Sequence, residues 1–357
     1  EKRPIGRNGY ISINLANGET RIIEIEKLHL EEDTCKQVHY NDYSLLDYNR
    51  AGIPLIEIVS RPVIKTGEEA MLYVDKIRSI ITYLNASNGK MEEGSLRCDI
   101  NISLRKSINV PFGVKVEIKN LNSISNIKKA IDFEIDRQTK ILEANLPVIQ
   151  ETRRYDDVNK STVVMRIKTD NVDYRIFTDP NIIPIKLSNE FIESAINSSN
   201  ELREDRINRY INMRLSKYDA NLLTSEKEIS DYFEDVIKTE CSIKGACNWI
   251  NGDIRNLINK THLNIKDIGI SAENLGGLIC LLDKDKISII QAKSIFLKMF
   301  ETGKTPNELL NERENQNKNI NYQELIDDVL ESNPQLIQDY KNGKTKITEQ
   351  YGLRGNK

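Results

Sequence analysis

The chain has 357 residues, of which 39% are hydrophobic and 29% are charged, a composition typical of globular proteins rather than of disordered chains. Its 51 lysines and arginines are nearly balanced by 54 aspartates and glutamates, which excludes a uniformly basic coat protein for nucleic acid. No apolar run approaches the ~18 residues of a membrane span. The five cysteines are scattered and form no CxxC pair, which favours a reducing compartment.

The first half of the chain is predicted to be rich in strands. Alternation over residues 10–15 and 21–30, with Asn17-Gly18 between them, predicts a β-hairpin. A capping-box pattern at Thr66 and Glu69 predicts a helix to about Leu84. Further strands are predicted over 53–59, 98–105, 113–119, 163–167 and 182–187, and a second helix from Asn122 or Ser123 to about Leu142.

Beyond residue 188 the pattern predicts helices only. Helix starts are predicted at Thr224 or Ser225, at Ser271 and at Thr305, because each is a capping residue shortly before an acidic side chain. Residues 311–321 are almost entirely polar and predict a linker, followed by a last helix over 322–330. These patterns predict an α+β fold. Its parts are a β-rich domain over 1–187, an all-α domain over 188–310 and a tail over 311–357.

Carboxylates in two segments are candidates for a metal site. Glu31, Glu32 and Asp33 are consecutive at a predicted strand end, where extended backbone places Glu32 on the face opposite the other two. Glu57 interrupts the apolar run of residues 53–59, where a buried and unpaired carboxylate is costly. Mg²⁺ held by one or two carboxylates and by phosphate oxygens would account for both segments. The alternatives are an exposed acidic turn and an edge strand that faces solvent.

Polar side chains alternate along two neighbouring predicted strands. Those of the first strand are Asp99, Asn101 and Ser103, and those of the second are Lys115, Glu117 and Lys119. If the strands pair, these side chains form one polar patch, and a solvated outer face is the alternative. The helix N-terminus after Lys119 favours an anion, although ordinary N-capping explains its residues as well.

Arginines interleaved with aromatic residues occur at 150–155 and 173–180. Such a pattern suits stacking on bases and pairing with phosphates, and core aromatic residues with surface arginines are the alternative. The sequence has no P-loop, GxGxxG, GxSxG or HExxH pattern. Nucleotide chemistry would therefore need a less common type of site.

Six segments, taken in order and spacing, resemble the GatB family, which comprises the B subunits of the aspartyl/glutamyl-tRNA amidotransferases. They are 28–33 (LHLEED), 43–60 (YSLLDYNRAGIPLIEIVS), 90–103 (KMEEGSLRCDINIS), 116–123 (VEIKNLNS), 150–156 (QETRRYD) and 173–180 (DYRIFTDP). The resemblance extends over nearly the whole chain. Residues 340–346 are similar to part of that family's C-terminal tail.

The resemblance implies a β-rich cradle domain with a synthetase site, then a helical domain and a small tail that contacts tRNA. It also implies a heterotrimer with an A subunit, an amidase that releases ammonia from glutamine, and with a small C subunit. The B subunit would use ATP and Mg²⁺ to convert the side-chain carboxylate of misacylated Glu-tRNA(Gln) or Asp-tRNA(Asn) into an acyl phosphate, which ammonia then amidates. The expected compartment is the bacterial cytoplasm, or the matrix or stroma of an organelle, with no membrane partner.

Within this framework we assign three roles to candidate residues. A site that gathers ATP and a carboxylate must offset two anions, so a cation and positive side chains are expected. The metal ligands would be Glu31, Glu32 and Glu57. The catalytic site would be lined by Lys90, Glu92, Glu93, Ser95, Arg97, Asp99 and Asn101. ATP and its phosphates would be bound by Lys119, Asn120, Asn122, Ser123, Arg153 and Arg175.

Departures from the family pattern lead us to expect an incomplete chain. Family members usually carry a Gly-Leu-Glu-Val-His-like string, with further metal ligands, before the region where this chain starts. Ile176, Thr178, Asp179 and Asn181 stand where an aromatic residue, Pro, Glu and Asp are more usual, and residues 347–357 replace a hydrophobic helix. The alternatives to this ligase are a non-catalytic tRNA-binding scaffold and an enzyme of small-molecule amide ligation that needs no RNA.

Overall fold

The computed structural model describes residues 4–167, 180–183 and 185–318. The chain divides into two compact units, Glu1–Arg206 and Ile207–Lys357. The described strands all belong to the first unit, and the described part of the second is built of helices and their connections. This distribution confirms the α+β fold. The predicted helix over 322–330 and the arginine–aromatic segment before Pro180 lie outside the described residues.

The first unit begins with the predicted hairpin. β1 (Gly6–Asn14) and β2 (Thr20–Glu32) pair antiparallel, and the N–H of Gly18 closes their connection by donating to the Leu15 carbonyl at 3.0 Å. β5 (Pro54–Ser60) pairs antiparallel with the other edge of β2. The result is a three-stranded sheet in the order β1-β2-β5.

A second hairpin, which the sequence did not predict, lies between β2 and β5. Its strands are β3 (Lys36–His39) and β4 (Ser44–Asp47). Leu45 and Leu46 point to opposite faces, and both are about half exposed, so the described residues cover neither face. Because apolar side chains occur on both faces, these strands lack the alternation that reveals a half-buried strand.

Two helices of the first unit, α1 (Gly67–Tyr83) and α2 (Ile124–Glu143), pack against each other. The helix start predicted at Thr66 is confirmed, because its hydroxyl accepts the Glu69 N–H at 3.1 Å. The helices, the β1-β2-β5 sheet and a second, four-stranded sheet share one apolar core, in which removal of side chains from water is the main stabilising term. Its members include Ile11, Ile13, Ile23, Val74, Ile77, Ile118, Ile127 and Ile131.

The second sheet of the first unit has four strands in the order β6-β7-β8-β9. The strands are β6 (Ile100–Ile102), β7 (Val116–Lys119), β8 (Glu151–Asp156) and β9 (Ser161–Ile167). β7 and β8 are parallel, whereas the other two pairs are antiparallel. A parallel pair needs a long crossover, and α2 provides it.

Two strand predictions were too long and one was wrong. The strands predicted over 98–105 and 113–119 shrink to three and four residues. The segment between them forms a loop closed by the Arg105 guanidinium, which lies 4.3 Å from the centre of the Phe112 ring. The strand predicted over 182–187 is absent from the described residues of that range. A strand needs a neighbour to satisfy its N–H and C=O groups, and no described strand pairs with this segment.

Helices follow from residue 189 onward. They are α3 (Asn189–Asn197), α4 (Arg203–Asn212), α5 (Lys217–Leu223), α6 (Lys227–Ile237), α7 (Ile243–Trp249), α8 (Arg255–Thr261), α9 (Ala272–Asp283), α10 (Ile289–Thr302) and α11 (Pro306–Lys318). A π-helical turn, Ile250–Ile254, joins α7 to α8. The second unit has its own core, which includes Tyr210, Phe233, Trp249 and Phe296. Among the helices described, none is both long and apolar enough to cross a membrane.

The helix starts of the second unit were mostly predictable. The caps predicted at Ser271 and Thr305 are confirmed by hydrogen bonds from N–H groups three residues later. The helix predicted after Thr224 or Ser225 is present as α6, which begins at Lys227 with Glu226 as its cap. The predicted capping residue is wrong, because Thr224 ends α5 and donates its hydroxyl to the Ala220 carbonyl at 2.8 Å. The predicted linker is wrong for residues 311–318, which continue α11. They include Glu, Arg, Gln and Lys, which favour helix although they are polar.

Candidate active site

Two of the three candidate metal ligands lie on one face of the first sheet. β2 and β5 pair with His29 directly opposite Glu57 and with Glu31 opposite Leu55. Glu31 and Glu57 are therefore diagonal neighbours on the same face. Glu32 is the next residue of β2, and alternation places its side chain on the other face. The structure thus brings Glu31 and Glu57 together and separates Glu32 from them.

The donor set on this face fits a hard cation that also binds phosphate. Glu57 is half-buried, and no residue within the described ranges forms a hydrogen bond or an ion pair with it. Carboxylate oxygens are the ligands that a hard divalent cation prefers. Over the same ranges, no group of three His, Cys, Asp or Glu side chains could hold a metal by itself. An ion such as Mg²⁺ would therefore need phosphate oxygens as well, which is its common mode at nucleotide sites.

Asp33 joins three of the segments that the sequence singled out. Its Oδ2 accepts hydrogen bonds from Arg50 Nε at 2.8 Å and from Arg97 Nη2 at 3.3 Å. Arg50 Nη1 also donates to the Gly94 carbonyl at 3.2 Å. The end of β2, the segment before β5 and the loop before β6 therefore meet at one carboxylate. The sequence grouped Asp33 with the candidate metal carboxylates and gave Arg50 no role. It did not predict their ion pair, because the contact is tertiary and leaves no local pattern.

The pKa of Asp33 predicts how the first unit responds to acid. Burial alone would raise this pKa, but the Thr34 N–H and the charges of Arg97 and Arg50 outweigh burial and hold the pKa below its ordinary value. Because the pKa is lower in the folded state, the carboxylate stabilises the fold above about pH 4, and this contribution is lost as the pH falls through the lowered value. We expect the free energy of unfolding to fall less steeply below about pH 4 in Asp33→Asn than in the wild type. Urea unfolding at a series of pH values measures this difference, and parallel pH profiles would contradict it.

The loop that carries most of the predicted lining residues is closed on itself. Lys90 Nζ lies 2.6 Å from Glu93 Oε1, and the Ser95 N–H donates to the Lys90 carbonyl at 2.9 Å. Met91 is buried in the core and fixes the loop to the unit. The side chains of Lys90, Glu92 and Glu93 are exposed. The loop thus presents charged side chains from an ordered backbone.

Polar residues of β6 and β7, with Asp99 just before β6, form one face of the four-stranded sheet, which we call the polar face (Asp99, Asn101, Glu117 and Lys119). Asn101 lies opposite Glu117, and Lys119 Nζ is 2.8 Å from Asp99 Oδ2 and 3.5 Å from Glu117 Oε1. The condition set from the sequence is met, because the two strands pair. Burial alone would lower the pKa of Lys119, but Asp99 and Glu117 hold that pKa above its ordinary value. Lys119 therefore stays positively charged at neutral pH.

The N-terminus of α2 follows directly after the polar face. The Ser123 hydroxyl accepts the Asn126 N–H at 3.2 Å, so Ser123, and not Asn122, is the helix cap. Asn120 adopts a left-handed backbone conformation with φ of 59°, which asparagine tolerates better than most residues. Asn120 and Asn122 are both exposed beside this N-terminus. Capping accounts for Ser123, while the two asparagine amides stay accessible to a ligand.

Arg153, which the sequence assigned to phosphate, points into the protein. Its guanidinium donates to the Glu151 carboxylate at 2.5 Å, to the Thr162 hydroxyl at 2.7 Å and to the Thr162 carbonyl at 2.6 Å. Only 8% of the surface of Arg153 is exposed, so a ligand has no access to its guanidinium in this structure. Arg154 is the arginine that faces outward. The sequence does not show which of two adjacent arginines faces outward. Arg175 lies outside the described residues.

The fold and this site define the class of protein. Residues 1–193 match the family model described as the GatB/GatE catalytic domain. Residues 231–350 match a second family model, described as the GatB domain. The first match includes every residue assigned to the candidate site.

Curated relatives agree with the family models. A protein of Clostridium novyi, named as the B subunit of aspartyl/glutamyl-tRNA(Asn/Gln) amidotransferase, is 43% identical over 96% of this chain and 73% of its own length. Proteins of the same name from Mycoplasma capricolum and Oceanobacillus iheyensis are 46% and 42% identical over the same shares of each chain. The chain belongs to the family of the aspartyl/glutamyl-tRNA(Asn/Gln) amidotransferase B subunits, which confirms the resemblance seen in the six segments.

Proposed function

We propose that the chain is the carboxylate-activating subunit of a tRNA-dependent amidotransferase, a ligase that forms a carbon–nitrogen bond. Its substrate is the side-chain carboxylate of Glu-tRNA(Gln) or Asp-tRNA(Asn). A carboxylate oxygen attacks the γ-phosphorus of ATP, the bond from that phosphorus to the β,γ-bridging oxygen breaks, and ADP leaves. Ammonia attacks the acyl carbon of the acyl phosphate and loses a proton. Inorganic phosphate leaves with the former carboxylate oxygen, and Gln-tRNA(Gln) or Asn-tRNA(Asn) is formed.

The observation that supports this reaction is the meeting of acidic and basic segments around Asp33. ATP and a carboxylate repel each other, so their reaction needs fixed positive groups and a cation between them. Asp33 holds Arg97, and two residues further along the same segment Asp99 holds Lys119. The segment therefore connects the end of β2, which carries Glu31, to the polar face.

Different residues of the chain would bind the cation and the two anionic substrates. Glu31 and Glu57 would hold Mg²⁺, which withdraws charge from phosphate oxygens when it is bound. Arg97 keeps 62% of its side chain exposed while it donates to Asp33, so its guanidinium can contact an anion as well. Lys119 supplies a positive charge beside phosphate. These groups would hold the two anionic substrates in the orientation that the attack requires.

The proposed assembly has three subunits. The relatives are named as one subunit of an amidotransferase, and we place this chain in a complex with an amidase, the A subunit, and with a small C subunit. The amidase would supply ammonia from glutamine, and misacylated tRNA would be the common substrate. The relatives named above are bacterial, so the proposed compartment is the bacterial cytoplasm.

The test is ATP consumption by the assembled complex. We expect ADP to form in step with amide when misacylated tRNA, glutamine, ATP and Mg²⁺ are present, and to form much more slowly with deacylated tRNA. With hydroxylamine in place of glutamine, the acyl phosphate should be captured as a hydroxamate on the tRNA. Mass spectrometry of the released amino acid distinguishes the hydroxamate from the amide.

Two other outcomes would contradict the proposal. Salt-dependent tRNA binding without any tRNA-dependent ADP formation would support the non-catalytic scaffold. ATP-dependent amide formation on a free amino acid, unaffected by tRNA, would support small-molecule ligation. The dependence of ADP formation on misacylated tRNA therefore separates the three functions.

A further inference from the structure

Arg153 and Arg154 are consecutive on β8 and therefore point to opposite faces of the second sheet. A buried network holds Arg153 on the inner face. Glu134 of α2 is fully buried, accepts a hydrogen bond from the Thr162 hydroxyl at 3.0 Å and lies 3.7 Å from Arg153 Nε. Buried polar groups that bond to one another have few alternative arrangements. The network therefore fixes which of the two arginines faces outward.

Arg154 is projected onto the polar face. It lies directly opposite Lys119 in the parallel pair of β7 and β8, where neighbouring strands are about 4.8 Å apart. Thr152, on the same side of β8, donates its hydroxyl to Glu117 Oε2 at 2.8 Å. Because Glu117 belongs to the polar face, this side of β8 is part of the polar face. The Arg154 side chain is exposed, and no residue in the described ranges forms a hydrogen bond or an ion pair with it.

A second arginine extends the same face onto β9. Arg166 lies directly opposite Thr152, where the register of β8 and β9 shifts before the next pair. Its exposed side chain therefore lies on the side of β8 that carries Thr152 and, two residues further on, Arg154. Lys119 is paired with Asp99, whereas neither arginine has an ion pair with any described residue. Three adjacent strands therefore carry cations, and two of these cations keep their guanidinium groups available to a ligand. This arrangement suits an anionic ligand, and a guanidinium matches two phosphate oxygens at once.

The carboxylates around these cations distinguish between sources of phosphate. Asp99 and Glu117 lie on the polar face itself. Asp156 lies close by on β8, where hydrogen bonds from Asn159 and the charge of Arg154 help to hold its pKa below the ordinary value. An RNA backbone is normally followed by cations that neutralise successive phosphates, and carboxylates among those cations would repel it. A polyphosphate with a bound divalent cation carries less net charge, and the cation is itself attracted to carboxylates, so the charge pattern favours nucleotide phosphates over the tRNA backbone.

We propose that Arg154, with Arg166 beside it, binds the phosphates of ATP. The inference rests on the proposed function, because that function makes ATP a substrate of this chain. It assigns phosphate binding to the outward arginine of β8 instead of the buried Arg153.

The test is equilibrium binding of a non-hydrolysable ATP analogue, with Mg²⁺, to the complex with the A and C subunits. We expect Arg154→Gln to weaken analogue binding by about 10- to 100-fold, the usual range for loss of a charge-assisted hydrogen bond. Arg154→Lys should recover part of the affinity, and Arg166→Gln should show a smaller loss in the same direction. Lys140→Ala is the matched control, because Lys140 is a cation of the same unit with 72% of its side chain exposed on α2. Affinity for misacylated tRNA should be unchanged in all four variants.

The results distinguish a failure of this inference from a failure of the proposed function. Unchanged analogue binding in Arg154→Gln overturns the inference, even if the wild-type complex forms amide with ATP. A loss confined to tRNA binding also overturns it, because the arginines would then bind RNA. If analogue binding depends on Arg154 but no tRNA-dependent ATP consumption occurs, the inference stands and the proposed function fails. If the wild-type complex binds no nucleotide, both fail.

Discussion

Glu57→Gln in the assembled complex is expected to lower ATP consumption by at least about 10- to 100-fold, since even indirect partners of metal ligands have effects of that size. The substitution keeps the size of the side chain and one oxygen but removes the charge that would hold a cation. We expect the fold to be unaffected, because Glu57 makes no hydrogen bond or ion pair with a described residue. The concentration of Mg²⁺ that gives half-maximal rate should rise, and a titration of ADP formation against Mg²⁺ measures it.

The position of the other acids on β2 provides the controls. Glu31→Gln should resemble Glu57→Gln, because the two carboxylates share a face. Glu32 belongs to the same acidic segment as Glu31 but lies on the other face of the sheet. Glu32→Gln should therefore lower ATP consumption clearly less than Glu31→Gln does. Glu26 is an exposed acid earlier on the same strand, and Glu26→Gln should keep the wild-type rate. Wild-type turnover by Glu57→Gln at limiting Mg²⁺, or equal losses in all four variants, would contradict the assignment of ligands.

The elements that the sequence predicted correctly are those with local causes. The hairpin of β1 and β2 depends on alternation and on a turn at Asn17-Gly18, and both can be read within about 20 residues. The starts of α1 and α9 depend on Thr66 and Ser271, whose side chains bond to N–H groups three residues later. The β3–β4 hairpin escaped prediction because it has no buried face to impose a period on its residues.

The site was predictable only in part, because its decisive contacts are tertiary. Alternation shows that Arg153 and Arg154 face opposite ways, but only the pairing with β7 and the position of Glu134 on α2 determine which one faces inward. The same holds for Asp33, whose partners come from segments far along the chain. From residue types alone, the consecutive carboxylates could be either metal ligands or an exposed acidic turn. The resemblance of the six segments to the family then favoured metal ligands.

Glu134→Ala is expected to lower the free energy of unfolding of the first unit by about 3–5 kcal/mol, the usual cost of breaking a buried ion pair from one side. Glu134 is fully buried, and Arg137 Nη2 lies 2.5 Å from its Oε1. Its removal takes the nearest carboxylate from Arg137 and the acceptor from the Thr162 hydroxyl. Arg153 keeps only Glu151 as its carboxylate partner among the described residues. Urea unfolding followed by circular dichroism reports this change. Trp249 is the only tryptophan and belongs to the second unit, so its fluorescence separates the two units.

Neighbouring arginines supply the matched comparison for this network. Arg153→Ala should destabilise the first unit to a similar extent, whereas Arg154→Ala should change its stability by less than about 0.5 kcal/mol, because Arg154 is exposed and forms no ion pair with a described residue. In the double variant Glu134→Ala/Arg153→Ala, the loss should be smaller than the sum of the two single losses, since each single variant already removes the contact between Glu134 and Arg153 and the sum counts that contact twice. Additive losses, or equal losses for Arg153→Ala and Arg154→Ala, would show that the buried network does not determine the orientation of β8.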